Sequence, residues 1–305
     1  MKRYIVFLFV ISLGIAFAAT TGRAVEVNPV ISTAWLHENI GNSSMVVIDI
    51  RKVEEYKEGH IPGSISLTFN AWRTMEDNLG CQLPQKDELA DIVCSIGANK
   101  DTDIIIVGKT DTDIDHVNTT RVAWTLKYAG LRKLSILQGG YNKWVNENKP
   151  VTETVTKRTK GALGCEWNDR VLATRKDVAA SCAGNPAVTI VDTRPAGQFA
   201  GRMACPTVKR KGHIPGAVNL PYSLVFTKDG MFENKGHLQT IASQHVGGNR
   251  DREIIVVCSN GQFASAWWFV LSEVLGYKDV RIYDGSMEDW CCDLTSPLSG
   301  EPAGQ

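Results

Sequence analysis

Along this chain, unbroken apolar runs of four or five residues alternate with stretches whose apolar positions recur every three to four residues. In the first half the runs lie near 45–50, 103–107 and 134–137, and the helical spacing predicts helices near 86–96, 118–129 and 141–147. A β-branched run such as Ile104-Ile105-Ile106-Val107 suits a strand buried on both faces, the condition of a parallel sheet covered by helices. The alternation therefore predicts an α/β chain built from parallel sheets flanked by helices.

The pattern occurs twice. Val46-Val-Ile-Asp49-Ile-Arg51 followed by Gly59-His60-Ile61-Pro62-Gly63 returns as Thr189-Ile-Val-Asp192-Thr-Arg194 followed by Gly212-His213-Ile214-Pro215-Gly216. Asp103-Ile-Ile-Ile-Val107 through Gln138-Gly139-Gly140 to Trp144 returns as Glu253-Ile-Ile-Val-Val257 through Asp284-Gly285-Ser286 to Trp290. Blocks of this length in one order denote a duplicated domain rather than a short-unit solenoid. The Thr/Lys-rich stretch 151–168, which follows Pro150, reads as the linker, with the first domain at 25–150 and the second at 169–305. His60 and His213 both sit in the repeated turn, so a structural role there is expected of each.

The two halves differ where chemistry is expected. The strand 253–257 runs into Cys258, a short loop Ser259-Asn260-Gly261-Gln262-Phe263, and a helical pattern that resumes at Ala264. A short loop between strand and helix turns its N–H groups inward, with Gly261 supplying the permissive backbone. Amide donors and a helix N-terminus favour a thiolate, which makes Cys258 the candidate nucleophile and 259–264 its candidate binding loop. A phosphatase loop would need an arginine six positions after the cysteine to fork onto phosphate, and position 264 is Ala. In the first half Gly108 occupies the cysteine's place, and the segment 109–116 reads as a longer, acidic loop.

Composition narrows the field further. The chain has 305 residues with 33 basic and 33 acidic side chains, a balance that gives no electrostatic reason for nucleic acid or an anionic membrane surface as partner. Lys2 and Arg3 precede an apolar run from Tyr4 to Ala19, which reads as an export signal spanning 1–24, cleaved after Ala18 or Ala24. Removal would leave no membrane anchor and a periplasmic or extracellular protein. The eight cysteines are scattered, without zinc-ligand spacing, so no metal or organic cofactor is expected.

Taken together, Asp-x-Arg, Gly-His-Ile-Pro-Gly, a strand-borne cysteine loop and a Gly-Gly or Gly-Ser turn before a Trp-ending helix resemble the rhodanese domain. Two in tandem resemble thiosulfate and 3-mercaptopyruvate sulfurtransferases. The resemblance implies two rhodanese-like domains, a catalytically silent first one, and an active site on the second that faces the first. It also implies sulfur transfer through a persulfide on Cys258, from a small sulfur-containing anion such as thiosulfate to a thiophilic acceptor. An extracytoplasmic persulfide carrier delivering to an acceptor protein, or a redox or structural component, is the alternative.

Two departures stand out. Where the family usually carries a Gly-Arg pair that grips the donor, this chain has Gly197-Gln198. The substitute cations lie in an insert of about ten residues: Asp49 to His60 spans 11 positions, Asp192 to His213 spans 21. Arg202, Lys209 and Arg210 are its candidate donor-binding residues. Cys205, on the same insert, is a candidate resolving thiol for Cys258. The loop 259–263 matches neither the basic pattern of thiosulfate enzymes nor the Gly-Ser-Gly of mercaptopyruvate enzymes, so the donor stays open.

Overall fold

The computed structural model describes residues 27–77, 79–161, 165–182 and 187–300; the expected export signal lies outside them. The first domain runs β1 (Val30–Ile31), α1 (Thr33–Asn39), β2 (Met45–Asp49), α2 (Val53–Glu58), β3 (Ile65–Ser66), the antiparallel pair β4 (Thr74–Glu76) and β5 (Leu79–Gln82), α3 (Lys86–Ser95), β6 (Asp103–Val107), α4 (Asp113–Tyr128), β7 (Leu134–Leu137) and α5 (Gly140–Asn146). The second repeats the plan with β8 (Leu172–Ala173), α6 (Arg175–Cys182), β9 (Val188–Asp192), α7 (Ala196–Phe199), β10 (Val218–Asn219), α8 (Lys235–Val246), β11 (Glu253–Val257), α9 (Ala264–Phe269), β12 (Asp279–Tyr283) and α10 (Ser286–Trp290).

Each domain holds a five-stranded sheet, ordered β1-β7-β6-β2-β3 and β10-β9-β11-β12-β8, with parallel pairing throughout. The fold class read from the alternation is thus the one observed. Side chains alternate across each strand, so one face of each sheet feeds a core common to both domains. Ile104 and Ile106 of β6 and Ile254, Val256 and Cys258 of the β11 segment enter this shared core. Ile105 and Val107 enter a separate outer core in the first domain, Ile255 and Val257 another in the second. The helices that follow the two equivalent strands, α4 and α9, pack against each other across the boundary, joined by a hydrogen bond between Thr120 and Ser265 (2.8 Å) and another from Gln262 to Asn118 (2.7 Å).

The repeated sequence blocks fold into repeated contacts. Arg51 and Arg194, both buried, each bind the carboxylate two residues earlier, Asp49 or Asp192, and each donates to a turn carbonyl, Gly59 or Gly212, at 2.8 Å. His60 stacks on Tyr56 and His213 on Phe199, each with Nδ1 against the carbonyl of the stacking partner. Both histidines hold a turn, as their recurrence predicted.

One expectation is corrected. The loop after Gly108 is not longer than its counterpart, because α4 begins at Asp113. Thr112 caps it in a capping box with Asp115, and acidic residues in a first turn complement the helix dipole. The acidic residues read as loop are helix N-terminus.

Candidate functional site

Cys258 stands at the carboxyl end of β11, where the chain leaves the sheet. The backbone N–H groups of Asn260, Phe263 and Ala264 surround its sulfur and favour its charged form. Gly261 makes the curl possible: its φ is +81°, and a Cβ there would lie 2.6 Å from both the main-chain oxygen and Oδ1 of Asp284. The turn after β12 braces the cradle from behind. Ser286 adopts φ +47°, a left-handed conformation that is costly for a non-glycine residue. Its hydroxyl compensates by accepting from the Cys258 N–H (3.1 Å) and donating to the Tyr283 carbonyl (2.8 Å). Met287 and Glu288 then donate their N–H groups to the carbonyls of Cys258 and Ser259.

The first domain roofs this loop. Its β4–β5 pair brings Gly80 N–H to Glu288 Oε2 (3.1 Å), Gln82 Nε2 to the Asp284 carbonyl (3.4 Å) and Leu83 N–H to Asp284 Oδ2 (2.8 Å). From α4, Arg121 reaches Asp284 Oδ1 through Nη1 at 2.6 Å, stacks its guanidinium over Trp124 and has no exposed surface. Cys81, also buried and with φ +58°, lies in the electrostatic range of Arg121, Asp284 and Cys258.

Enclosure changes the expected electrostatics. Cys258 is fully buried, and that burial pushes its thiol up. The three amides pull it partly back, and the nearby Asp192 carboxylate adds to the rise, leaving the thiol above its ordinary value. From the sequence, the loop amides and the helix N-terminus were expected to favour a thiolate. Loss of solvent outweighs the cradle, and the β4–β5 pair of the other domain contributes to the enclosure of the loop.

The other predicted residues divide. Ser259, Asn260, Gly261, Gln262, Phe263 and Ala264 form the loop around the sulfur, with Gln262 turned to Asn118 of the first domain. The insert does meet the loop, through Cys205, whose sulfur is 3.3 Å from Ser259 Oγ. Burial would raise that thiol, but hydrogen bonds to Ser259, Thr207 and the Val208 amide outweigh it and hold Cys205 below the usual thiol range. Arg210 donates through its guanidinium to the carbonyls of Asp293 (3.1 Å) and Ser296 (2.8 Å), which ties the insert to the C-terminal segment. Arg202 and Lys209 are exposed on the insert. Sequence reasoning passed over Arg121, Asp284, Ser286 and the β4–β5 pair. The available signals were a charged residue amid the apolar positions of α4 and the Ser that replaces the second glycine of the repeated Gly-Gly turn. Among the described residues, no group of three or more His, Cys, Asp or Glu side chains is arranged to hold a metal ion.

With this geometry in hand, the chain can be assigned: it belongs to the rhodanese-like domain family, whose pattern matches residues 32–147 and again 174–292. Among individual relatives it is 27% identical over 267 residues to a candidate thiosulfate sulfurtransferase of Saccharopolyspora erythraea, covering 85% of this chain and 92% of that protein. It is 29% identical over 272 residues to the sulfur carrier protein TtuD of Thermus thermophilus, with the same coverage. The crystal structure of SseA from Escherichia coli, described as a 3-mercaptopyruvate sulfotransferase, superposes with a TM-score of 0.72 at 27% identity, covering 85% of this chain and 99% of that one. These likenesses support a sulfurtransferase in general terms.

Proposed function

We propose that the chain is a sulfurtransferase that carries sulfane sulfur as a persulfide on Cys258. The observation that carries this reading is the ring of Asn260, Phe263 and Ala264 N–H groups around a single cysteine sulfur at a strand end, a cradle sized for one sulfur and its charge. In the first half-reaction the Cys258 thiolate attacks the outer sulfur of thiosulfate or a related donor. A new S–S bond forms, the donor's S–S bond breaks, and its electron pair leaves on sulfite. In the second, a thiol, sulfite or cyanide attacks the outer sulfur, and the thiolate of Cys258 departs. The export signal read at 1–24 makes a periplasmic or extracellular site of action part of the proposal, with small sulfur anions as substrates.

Complete burial of Cys258 favours a second reading alongside the first. A persulfide sealed under the β4–β5 pair is shielded from bulk reductants and is released when a partner protein displaces that roof, as in a sulfur carrier. Intact-mass analysis after incubation with thiosulfate, 3-mercaptopyruvate or polysulfide tests both. One added sulfur on the wild type and none on Cys258→Ala is expected. Turnover with cyanide distinguishes enzyme from carrier, and addition elsewhere, or none, refutes the persulfide.

A further inference from the structure

Arg121 is the most conspicuous unsettled group in the molecule. It has no exposed surface, and of its three donor nitrogens only Nη1 is engaged, by Asp284 at 2.6 Å. Nε and Nη2 are buried without any hydrogen-bond partner. A buried donor left unpaired costs about 1–3 kcal/mol, more on a charged group, so such atoms ask for a ligand. The two orphans are not scattered: Nε–H and Nη2–H point the same way from one edge of the guanidinium and form the fork that grips two oxygens of one oxyanion. Trp124 covers the flat face of the group, 4.5 Å from the ring centroid, so the edge alone is left.

The position of that edge gives it meaning. Arg121 Nη1 comes within 3.0 Å of where a Gly261 Cβ would stand, so the guanidinium adjoins the cysteine loop, and it interacts electrostatically with both Cys258 and Cys81. Of the other charged groups around the loop, Asp284 pairs with Arg121, Arg194 pairs with Asp192, and Glu288 accepts from Gly80 through Oε2 while its Oε1 is buried without a partner. Arg121 is thus a cation beside the cysteine loop with two unpartnered donors.

We propose that Arg121, delivered by the domain that carries Gly108 in the cysteine's place, binds the oxyanion of the sulfur donor, its Nε–Nη2 edge taking two oxygens of a sulfonate or carboxylate while the sulfane sulfur meets Cys258. The substrate class is a small sulfane donor with an oxyanion next to the transferable sulfur. This rests on the persulfide reading for its chemistry but not for its binding step, and the two are separable.

Two measurements test it on the full chain. In the first, Cys258→Ser protein is titrated calorimetrically with thiosulfate and with 3-mercaptopyruvate, which separates the sulfonate and carboxylate sources. Adding Arg121→Gln should weaken binding by at least about 10-fold, the value of one or two charge-assisted hydrogen bonds, and Arg121→Lys should fall between. In the second, modification of Cys258 is followed by mass, as one added sulfur from thiosulfate and as the mixed disulfide or trisulfide left by an uncharged dialkyl trisulfide. Arg121→Gln should slow the first by at least about 10-fold and the second by less than about 3-fold. An equal loss with both donors, or anion binding indifferent to Arg121, overturns the assignment and leaves Arg121 a domain tie. Failure of any donor to load Cys258, with Arg121-dependent anion binding intact, removes the persulfide reading and upholds the anion site.

Discussion

Gly261→Ala isolates how much the cysteine loop depends on a missing side chain. The residue sits at φ +81°, and a methyl there would stand 2.6 Å from the Asp284 carbonyl and carboxylate oxygens. Gly216, in the repeated His-turn, has nearly the same φ of +80° but nothing within 4 Å of its would-be Cβ. The left-handed conformation costs an alanine about 1–2 kcal/mol, and this is all that Gly216→Ala should lose. At position 261 the same cost is joined by forced displacement of the Asp284 main chain, for which overpacking gives about 1–3 kcal/mol more. Gly261→Ala should therefore lose about 2–5 kcal/mol, and it should also loosen the Arg121–Asp284 pair and cut sulfur loading at Cys258. Urea titration followed by tryptophan fluorescence measures both variants against the wild type. Losses equal within about 0.5 kcal/mol, the scatter expected of independent sites, would refute the claim that backbone approach behind the loop demands glycine.

Three further outcomes are expected. Cys81 is pushed up to about 11 by burial, ahead of the opposing pull of Arg121, so the folded chain keeps a proton that an unfolded thiol loses near 8.5. Its contribution to stability is complete below the unfolded value and is lost as pH rises toward about 11, with a slope approaching 1.4 kcal/mol per pH unit; alkaline unfolding of Cys81→Ala should show a shallower decline. Asp192→Asn leaves Arg194 buried without its carboxylate and should cost about 3–5 kcal/mol, as should Asp49→Asn opposite Arg51; since the two sites share their geometry, thermal denaturation should give losses of similar size. Arg210→Ala frees the Asp293 and Ser296 carbonyls and should speed proteolytic cutting near the C-terminus, read by mass, while leaving sulfur loading at Cys258 unaltered.

The parts of this fold that could be read from the chain are those whose causes are local. Ile104–Val107 and Ile254–Val257 announce strands through composition, and the Gly-His-Ile-Pro-Gly blocks announce duplication through repetition. Cys258 could be singled out because its loop is made of neighbours. Arg121 could not, since its neighbours in space, Asp284 and Gly261, are more than a hundred positions away and the contact exists only once two domains dock. The same distance hid the enclosure of Cys258: nothing in residues 74–82 hints that they will cover a loop in the other half. Thr112 was a local signal and went unread, so α4 began five positions earlier than its apolar spacing suggested. The carbonyls that Arg210 reaches, those of Asp293 and Ser296, were hidden by the same kind of distance along the chain.

Gene duplication ordinarily releases one copy to drift. Here the floor under the sulfur is encoded in the later copy and the ceiling in the earlier one, with α4 and the β4–β5 pair reaching across. Neither copy can be discarded without uncovering the loop that holds Cys258, so two ancestrally equivalent modules now depend on each other.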